Sequence, residues 1–238
     1  MELTPAEVER VLRDAELEVV GRMRYSSNAT FLVEATLDDV TLAAVYKPQR
    51  GERPLWDFPH GTLCHREVAA YELSHALGWD IVPLTVLRDG PLGIGAVQRF
   101  VEHDPDEHYF TMMPEHEARF REFAWFDVLA NNTDRKGGHC LYDEPNDLVV
   151  GIDHGLTFHV HFKLRTVIWE FAGERLPDDA ADDVRRVMAE LDGGAIGERL
   201  SELLAPQELD ALRLRAANLL HDGLPLPDDH YSMPWPLV

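Results

Sequence analysis

The chain has 238 residues, 45% of them hydrophobic and 27% charged, the balance of a soluble globular protein long enough to bury a core in one domain of two lobes or in two small domains. Its 43 acidic against 22 basic residues leave a net charge of -21 with no Lys/Arg run, which argues against nucleic acid and against stable association with an anionic membrane. Cys64 and Cys140 are too few for a disulfide framework or a zinc ribbon. The first residues lack the basic and apolar regions of a signal peptide and no apolar run approaches ~18 residues, so a cytoplasmic location is expected.

Thr4-Pro5-Ala6-Glu7 reads as a capping box that opens a short helix to about Ala15. From Leu17 the period changes to that of strands: residues 17–23, 30–35 and 41–46 form an antiparallel meander that runs into Lys47-Pro48. In nucleotide-binding kinases the first hairpin covers the phosphates with backbone N–H groups while a strand lysine neutralises them. On that pattern Ser26, Ser27 and Asn28 at the hairpin tip and Lys47 are the candidate ATP contacts; the alternative is an ordinary hairpin with a solvated lysine. The Pro/Gly-rich stretch 48–62, with Trp56 and Phe58, reads as irregular, either a lid or a plug.

Residues 63–77 read as a helix closed by Gly78. Glu67 lies in its first turns, where a carboxylate suits an ion pair that orients a strand lysine in a dry cleft or, more simply, favours the helix N-terminus. Residues 82–87 and 94–100 read as a second hairpin, which completes a five-stranded antiparallel sheet with one helix. The polar stretch 101–105 reads as a hinge, at which the backbone of Phe100 and Val101 would meet an adenine edge. Beyond it, residues 115–130 read as a buried helix that delivers Asp127 and the loop 131–139. Residues 140–142 and 148–152 read as two strands, and 178–191, 195–204 and 206–220 as amphipathic helices. The expected fold class is α+β, with an N-lobe over residues 1–102 and a mainly helical C-lobe with a β-hairpin over residues 103–238.

Two acids dominate the second half. Asp134 follows the apolar helix and Asp153 ends the second short strand, so pairing of the strands brings both carboxylates to one end of the hairpin. Asn132-Thr133-Asp134-Arg135, followed by Ile152-Asp153-His154-Gly155-Leu156-Thr157-Phe158, resembles the N-T-D-R loop and I-D-N-G-L-A-F motif of the phosphoinositide 3- and 4-kinase-like superfamily, nearest to type II phosphatidylinositol 4-kinases. Val45-Tyr46-Lys47-Pro48 resembles the V-F-K-P nucleotide lysine of that family, and the chain is similar to a bacterial branch of it along most of its length.

The resemblance implies a bilobal protein-kinase-like fold and use of ATP with Mg2+ or Mn2+. It implies that Asp134 orients the acceptor hydroxyl, that Asp153 ligates the metal, that Lys47 holds the α/β phosphates and that Glu67 pairs with it. Independently of the resemblance, the chemistry of phosphoryl transfer favours a cation beside Asp134, and Arg135 or Lys136 would add that charge stabilisation. The family's second metal ligand, an Asn, aligns with His139; magnesium prefers oxygen ligands, while imidazole suits manganese or zinc better.

Three other readings stay open: a nucleotide-binding pseudokinase, an adenylyl transferase with the nucleotide reversed, and a metal hydrolase built on Asp153, His154, His159 and His161, the last two pointing the same way on a strand. The stretch 157–165 carries only two permanent positive charges, Lys163 and Arg165. A soluble hydroxylated small molecule or a protein side chain is therefore the expected acceptor rather than a membrane lipid.

Overall fold

The structure is a computed structural model that describes residues 3–23, 28–227 and 232–238; Ser26 and Ser27 lie outside the described residues. The chain divides into two compact units, one of Met1–Val68 with Pro83–Val101 and one of Ala69–Val82 with Glu102–Val238.

In the first unit, α1 (Pro5–Asp14) opens on the capping box: Glu7 N donates to Thr4 Oγ1 at 3.3 Å and Thr4 N donates to Glu7 Oε2 at 2.8 Å. The strands β1 (Glu16–Arg22), β2 (Phe31–Leu37), β3 (Val40–Pro48), β4 (Thr85–Gly90) and β5 (Gly93–Arg99) form one antiparallel sheet in the order β1-β2-β3-β5-β4. Period-2 patterning sets the buried face: Val33 and Ala35 of β2 and Ala44 and Tyr46 of β3 point into a core completed by Val11 and Leu12 of α1. The β4 strand begins later than the hydrophobic pattern suggests. Pro83 has no N–H for the ladder, and pairing instead runs down to Gly90 opposite Gly93, which leaves Pro91-Leu92 as the turn.

The helix α2 (Leu63–Leu77) ends at Gly78, whose φ of 76° is the left-handed conformation that glycine adopts freely. Residues 63–68 group with the first unit and 69–77 with the second.

The second unit contains α3 (Tyr109–Met112), α4 (Glu117–Ala130), the hairpin β6 (Cys140–Asp143) and β7 (Leu148–Gly151), and the helices α5 (Asp178–Glu190), α6 (Ala195–Leu203) and α7 (Pro206–Asp222). The second half of the α4 helix, residues 123–130, is buried throughout, as a helical stretch apolar on every side except for Asp127 must be, and Phe120 of its first half is fully buried as well. Residues 152–165 are irregular rather than a strand. His159 and His161 therefore do not share a strand face; their rings lie 5.6 Å apart in a bend.

Candidate active site

In the first unit the strand lysine and the helix acid meet. Lys47 Nζ lies 2.5 Å from Glu67 Oε1, with the two side chains 19% and 4% exposed. An enclosed charge pair of this kind needs both partners, because removing either strands the other in a low dielectric. The register that places Lys47 pairs it with Ala96 and Pro48 with Gly95. A Cβ on Gly95 would sit 2.6 Å from the Lys47 carbonyl oxygen and 2.7 Å from Pro48 Cα, so glycine is needed for close approach of β5 to the lysine's own backbone.

Of the remaining candidates in this unit, Asn28 accepts a hydrogen bond from Arg53 N at 3.0 Å through Oδ1, and Ala29 N donates to Gly51 O at 3.0 Å. The end of the first hairpin is thereby tied to the stretch after β3. The Phe100 amide is committed to Ala43 O at 3.2 Å, and Val101 is buried. In the 48–62 stretch, Phe58 is buried under the Arg66 guanidinium, 4.9 Å from its ring centre, while Trp56 is 92% exposed. One of the two aromatics plugs the fold and the other is displayed.

In the second unit the loop bearing Asp134 is built outward from the end of α4. Asn131 caps that helix in the left-handed region (φ 51°), a conformation Asn tolerates better than most residues. From this position its Nδ2 donates to His159 O and His161 O at 2.9 and 2.8 Å, and its Oδ1 accepts from Lys163 N at 2.9 Å. Asp134 N then donates to Asn132 Oδ1 at 3.0 Å, a local side-chain turn. Lys136 Nζ donates to Asp134 Oδ2 at 2.8 Å. Burial pushes the Asp134 carboxyl above its ordinary value; the Lys136 bond opposes this, the Asp153 charge adds to it and Arg135 opposes it.

Arg135 corrects an expectation. Its side chain is fully buried and forks onto Asp127 of α4, with Nε 3.0 Å from Oδ2 and Nη2 3.0 Å from Oδ1. Nη1 donates to His139 O and Ile152 O, each at 3.3 Å, and Nη2 lies 2.6 Å from His154 Nε2. A guanidinium has five donors and no acceptor, so it joins α4, the start of β6 and the end of β7 at a single point instead of presenting charge to a reacting group. Burial works against its charge; Asp127, Cys140 and Asp153 together outweigh this, and the proton is held more tightly. Gly151 makes room for the fork: a Cβ there would lie 3.2 Å from both terminal nitrogens.

The arginine thereby sets the end of the hairpin at which His139 and Asp153 meet. Ile152 N donates to His139 O at 2.9 Å, and His139 Nε2 lies 3.5 Å from Asp153 Oδ2, with side chains 14% and 51% exposed. Asp153 itself has φ 62°, a left-handed conformation that costs of order 1 kcal/mol for a non-glycine residue and tends to persist at functional sites.

A magnesium or manganese ion is commonly held by one or two protein groups, with nucleotide phosphates supplying much of the remainder. Asp153 supplies a carboxylate of that pattern and His139 stands beside it, an imidazole that magnesium takes less readily than the softer divalent metals do. The larger histidine cluster does not assemble. His154 is buried against Arg135, and among the described residues no group of three or more His, Cys, Asp and Glu side chains is arranged to hold a metal ion.

Reasoning from sequence missed the anchoring role of Asp127, whose signal was a lone acid in an otherwise apolar helix segment. It also missed Asn131, hidden beside a recognisable motif.

The fold is a protein-kinase-like α+β fold. The Golgi casein kinase superposes with a TM-score of 0.61 at 14% identity, covering 94% of this chain and 75% of that one. The same kinase with Mn/ADP bound superposes with a TM-score of 0.59 at 14% identity, covering 98% and 80%. No protein-family model matches the chain. Protein Rv2133c of Mycobacterium tuberculosis is 43% identical over 262 aligned residues, covering 95% of this chain and 94% of that protein. The chain belongs to the family of Protein Rv2133c.

Proposed function

We propose that the chain is an ATP-using, divalent-metal-dependent phosphotransferase that acts on a hydroxyl group of a soluble small molecule or a protein. The observation that carries this reading is the convergence of Asp134, His139 and Asp153 around one end of the β6–β7 hairpin, on a fold that superposes on a kinase. The first unit adds the Lys47–Glu67 pair. The Golgi casein kinase with Mn/ADP bound supports nucleotide and manganese use on this fold, and the N-T-D-R and I-D-x-G residues support a place near the phosphoinositide 3- and 4-kinase-like branch.

Phosphoryl transfer needs positioning and charge compensation more than covalent help from the protein. Asp153 and His139 would hold the metal, which neutralises charge on the phosphates when bound. Lys47, oriented by Glu67, would neutralise the nucleotide. Asp134 would accept the hydrogen bond of the acceptor hydroxyl and take its proton, a role helped by the upward shift that burial gives its carboxyl. Lys136, bonded to Asp134 in the protein alone, would leave that carboxylate when the acceptor arrives. The same Lys136 contact favours a second reading, a protein that binds nucleotide without transferring it.

The test is incubation with ATP labelled at the γ or the α phosphate, manganese and a mixed pool of hydroxylated metabolites and proteins. Label transferred from the γ position alone supports the proposal. Label from the α position indicates adenylyl transfer, and binding without transfer of either label indicates the pseudokinase.

A further inference from the structure

The segment 232–238 reaches the loop that carries the candidate site. The Ser232 carbonyl accepts from Thr166 N and from Trp169 Nε1, each at 3.0 Å, and Thr166 is the bridge partner of Arg135. Further on, Gly137 N donates to Leu237 O at 2.7 Å. Gly137 is the buried first residue of the single 3-10 turn Gly137–His139. The first N–H groups of such a turn have no partner within it and need an acceptor from elsewhere.

The two glycines admit the tail at close range. A Cβ on Gly137 would lie 3.1 Å from the Phe110 ring and 3.3 Å from Leu237 O, and one on Gly138 would lie 3.5 Å from Val238 Cγ1. Of the tail's side chains Pro234 is buried, while Trp235 is 87% exposed, Val238 55% and Met233 54%. The hydrogen bonds that tie the tail to the loop are made by its backbone, through Ser232 O and Leu237 O, the latter at the turn that carries His139.

Resting on the reading of His139 as a metal-holding group, we propose that residues 232–238 are a positioning strap for the candidate site. A Gly-Gly pair has more backbone freedom to lose than any other dipeptide, and three residues of 3-10 turn supply few bonds to hold it. Anchored at Ser232, the strap supplies the missing acceptor through Leu237 and so keeps the imidazole of His139 beside Asp153. No side chain of the strap touches the reacting groups in this account; it acts through the turn.

The experiment compares the full chain with chains ending after Pro236 and after Pro227, and with Trp235→Ala as a control. Amide hydrogen exchange reports on the 137–139 turn, and calorimetry on the dissociation constant for ATP with Mn2+. The expected result is that loss of Leu237 and Val238 speeds exchange at Gly137 at least ~10-fold and weakens Mn-dependent ATP binding by about 10-fold, the usual loss when a group supporting a metal ligand is removed, while Trp235→Ala changes neither.

The shorter truncation keeps the Ser232 anchor and protects the test against global misfolding in the longer one. Unchanged exchange at Gly137 overturns the strap. Faster exchange with unchanged affinity overturns its link to His139. If no chain binds Mn2+ and ATP, the phosphotransfer reading fails, and the exchange data still decide whether the strap holds the turn.

Discussion

Asp134 precedes the β6–β7 hairpin in the chain and Asp153 follows it, and they differ in ways that predict different losses. Asp153 is half exposed and lies beside His139, so Asp153→Asn should abolish metal-dependent nucleotide binding. Asp134 is more enclosed and bonded to Lys136, so Asp134→Asn should leave binding within about twofold and reduce turnover by 10²-fold or more, as expected for loss of a positioned base. Equilibrium binding and single-turnover transfer on both variants separate the two roles; unchanged turnover in Asp134→Asn contradicts the assignment.

The direction of the Asp134 shift sets two signs. Burial, first among its causes, raises the folded-state value above the ordinary 3.8, so the group's contribution to stability is present below that pH and is lost as pH rises through the folded value. Asp134→Asn removes this dependence, and denaturant titrations from about pH 4 to about pH 7 should show a flatter profile than in the parent chain. Activity carries the opposite sign, because the base must be ionised: kcat/KM should fall as pH drops through an apparent pKa above 3.8.

Arg135 shows where sequence reasoning at this scale runs out. Its place beside Asp134 in a recognisable motif identified it, but a motif does not reveal which way a side chain points. The nearest compensating charge, Asp127, lies a full turn back in α4 and is fully buried. Arg135→Leu should cost about 3–5 kcal/mol of stability in urea titrations, because it leaves the Asp127 carboxylate buried and alone. Arg135→Lys should recover little of this, since an ammonium cannot reproduce the fork.

At the scale of elements, patterning and punctuation made most of the architecture legible. The Thr4 capping box, the switch from period 3.6 to period 2 near residue 16, Gly78, and the Glu144-Pro145-Asn146 turn between β6 and β7 all mark boundaries found within a few residues. The late start of β4 and the irregular 157–161 stretch escaped for a physical reason. Pro83 denies the ladder a donor, and the backbone of the 159–163 bend bonds to a side chain, Asn131, rather than to a neighbouring strand.

Gly95 was equally invisible, because its meaning lies in what β3 presents to it. Gly95→Ala should force β5 away from the Lys47 backbone, destabilise the first unit by about 1–3 kcal/mol as overpacking does, and weaken ATP binding through the Lys47–Glu67 pair. Urea titration and calorimetry on that variant check both effects.

For the whole molecule, the net charge of -21 works against docking on an anionic lipid surface; among the described residues no helix is long and apolar enough to cross a membrane. The discontinuous division of the chain, with 69–82 grouped with the second unit, was not legible in the sequence, because nothing in the α2 pattern marks a boundary within it. The contact of residues 232–238 with the 137–138 turn was hidden for a related reason: a backbone acceptor from the far end of the chain leaves no trace in composition or period.

The proposed activity requires nucleotide to bind through a metal held at Asp153. Thermal unfolding with ATP, with Mn2+ or Mg2+, and with both together tests it most directly, run on the parent chain and on Asp153→Asn. A ligand that binds the native state alone raises Tm by mass action. Tm should rise in the parent chain only when nucleotide and metal are both present, and not at all in Asp153→Asn. A parent chain whose Tm does not respond to ATP with either metal, or an Asp153→Asn variant that responds as the parent does, would contradict it.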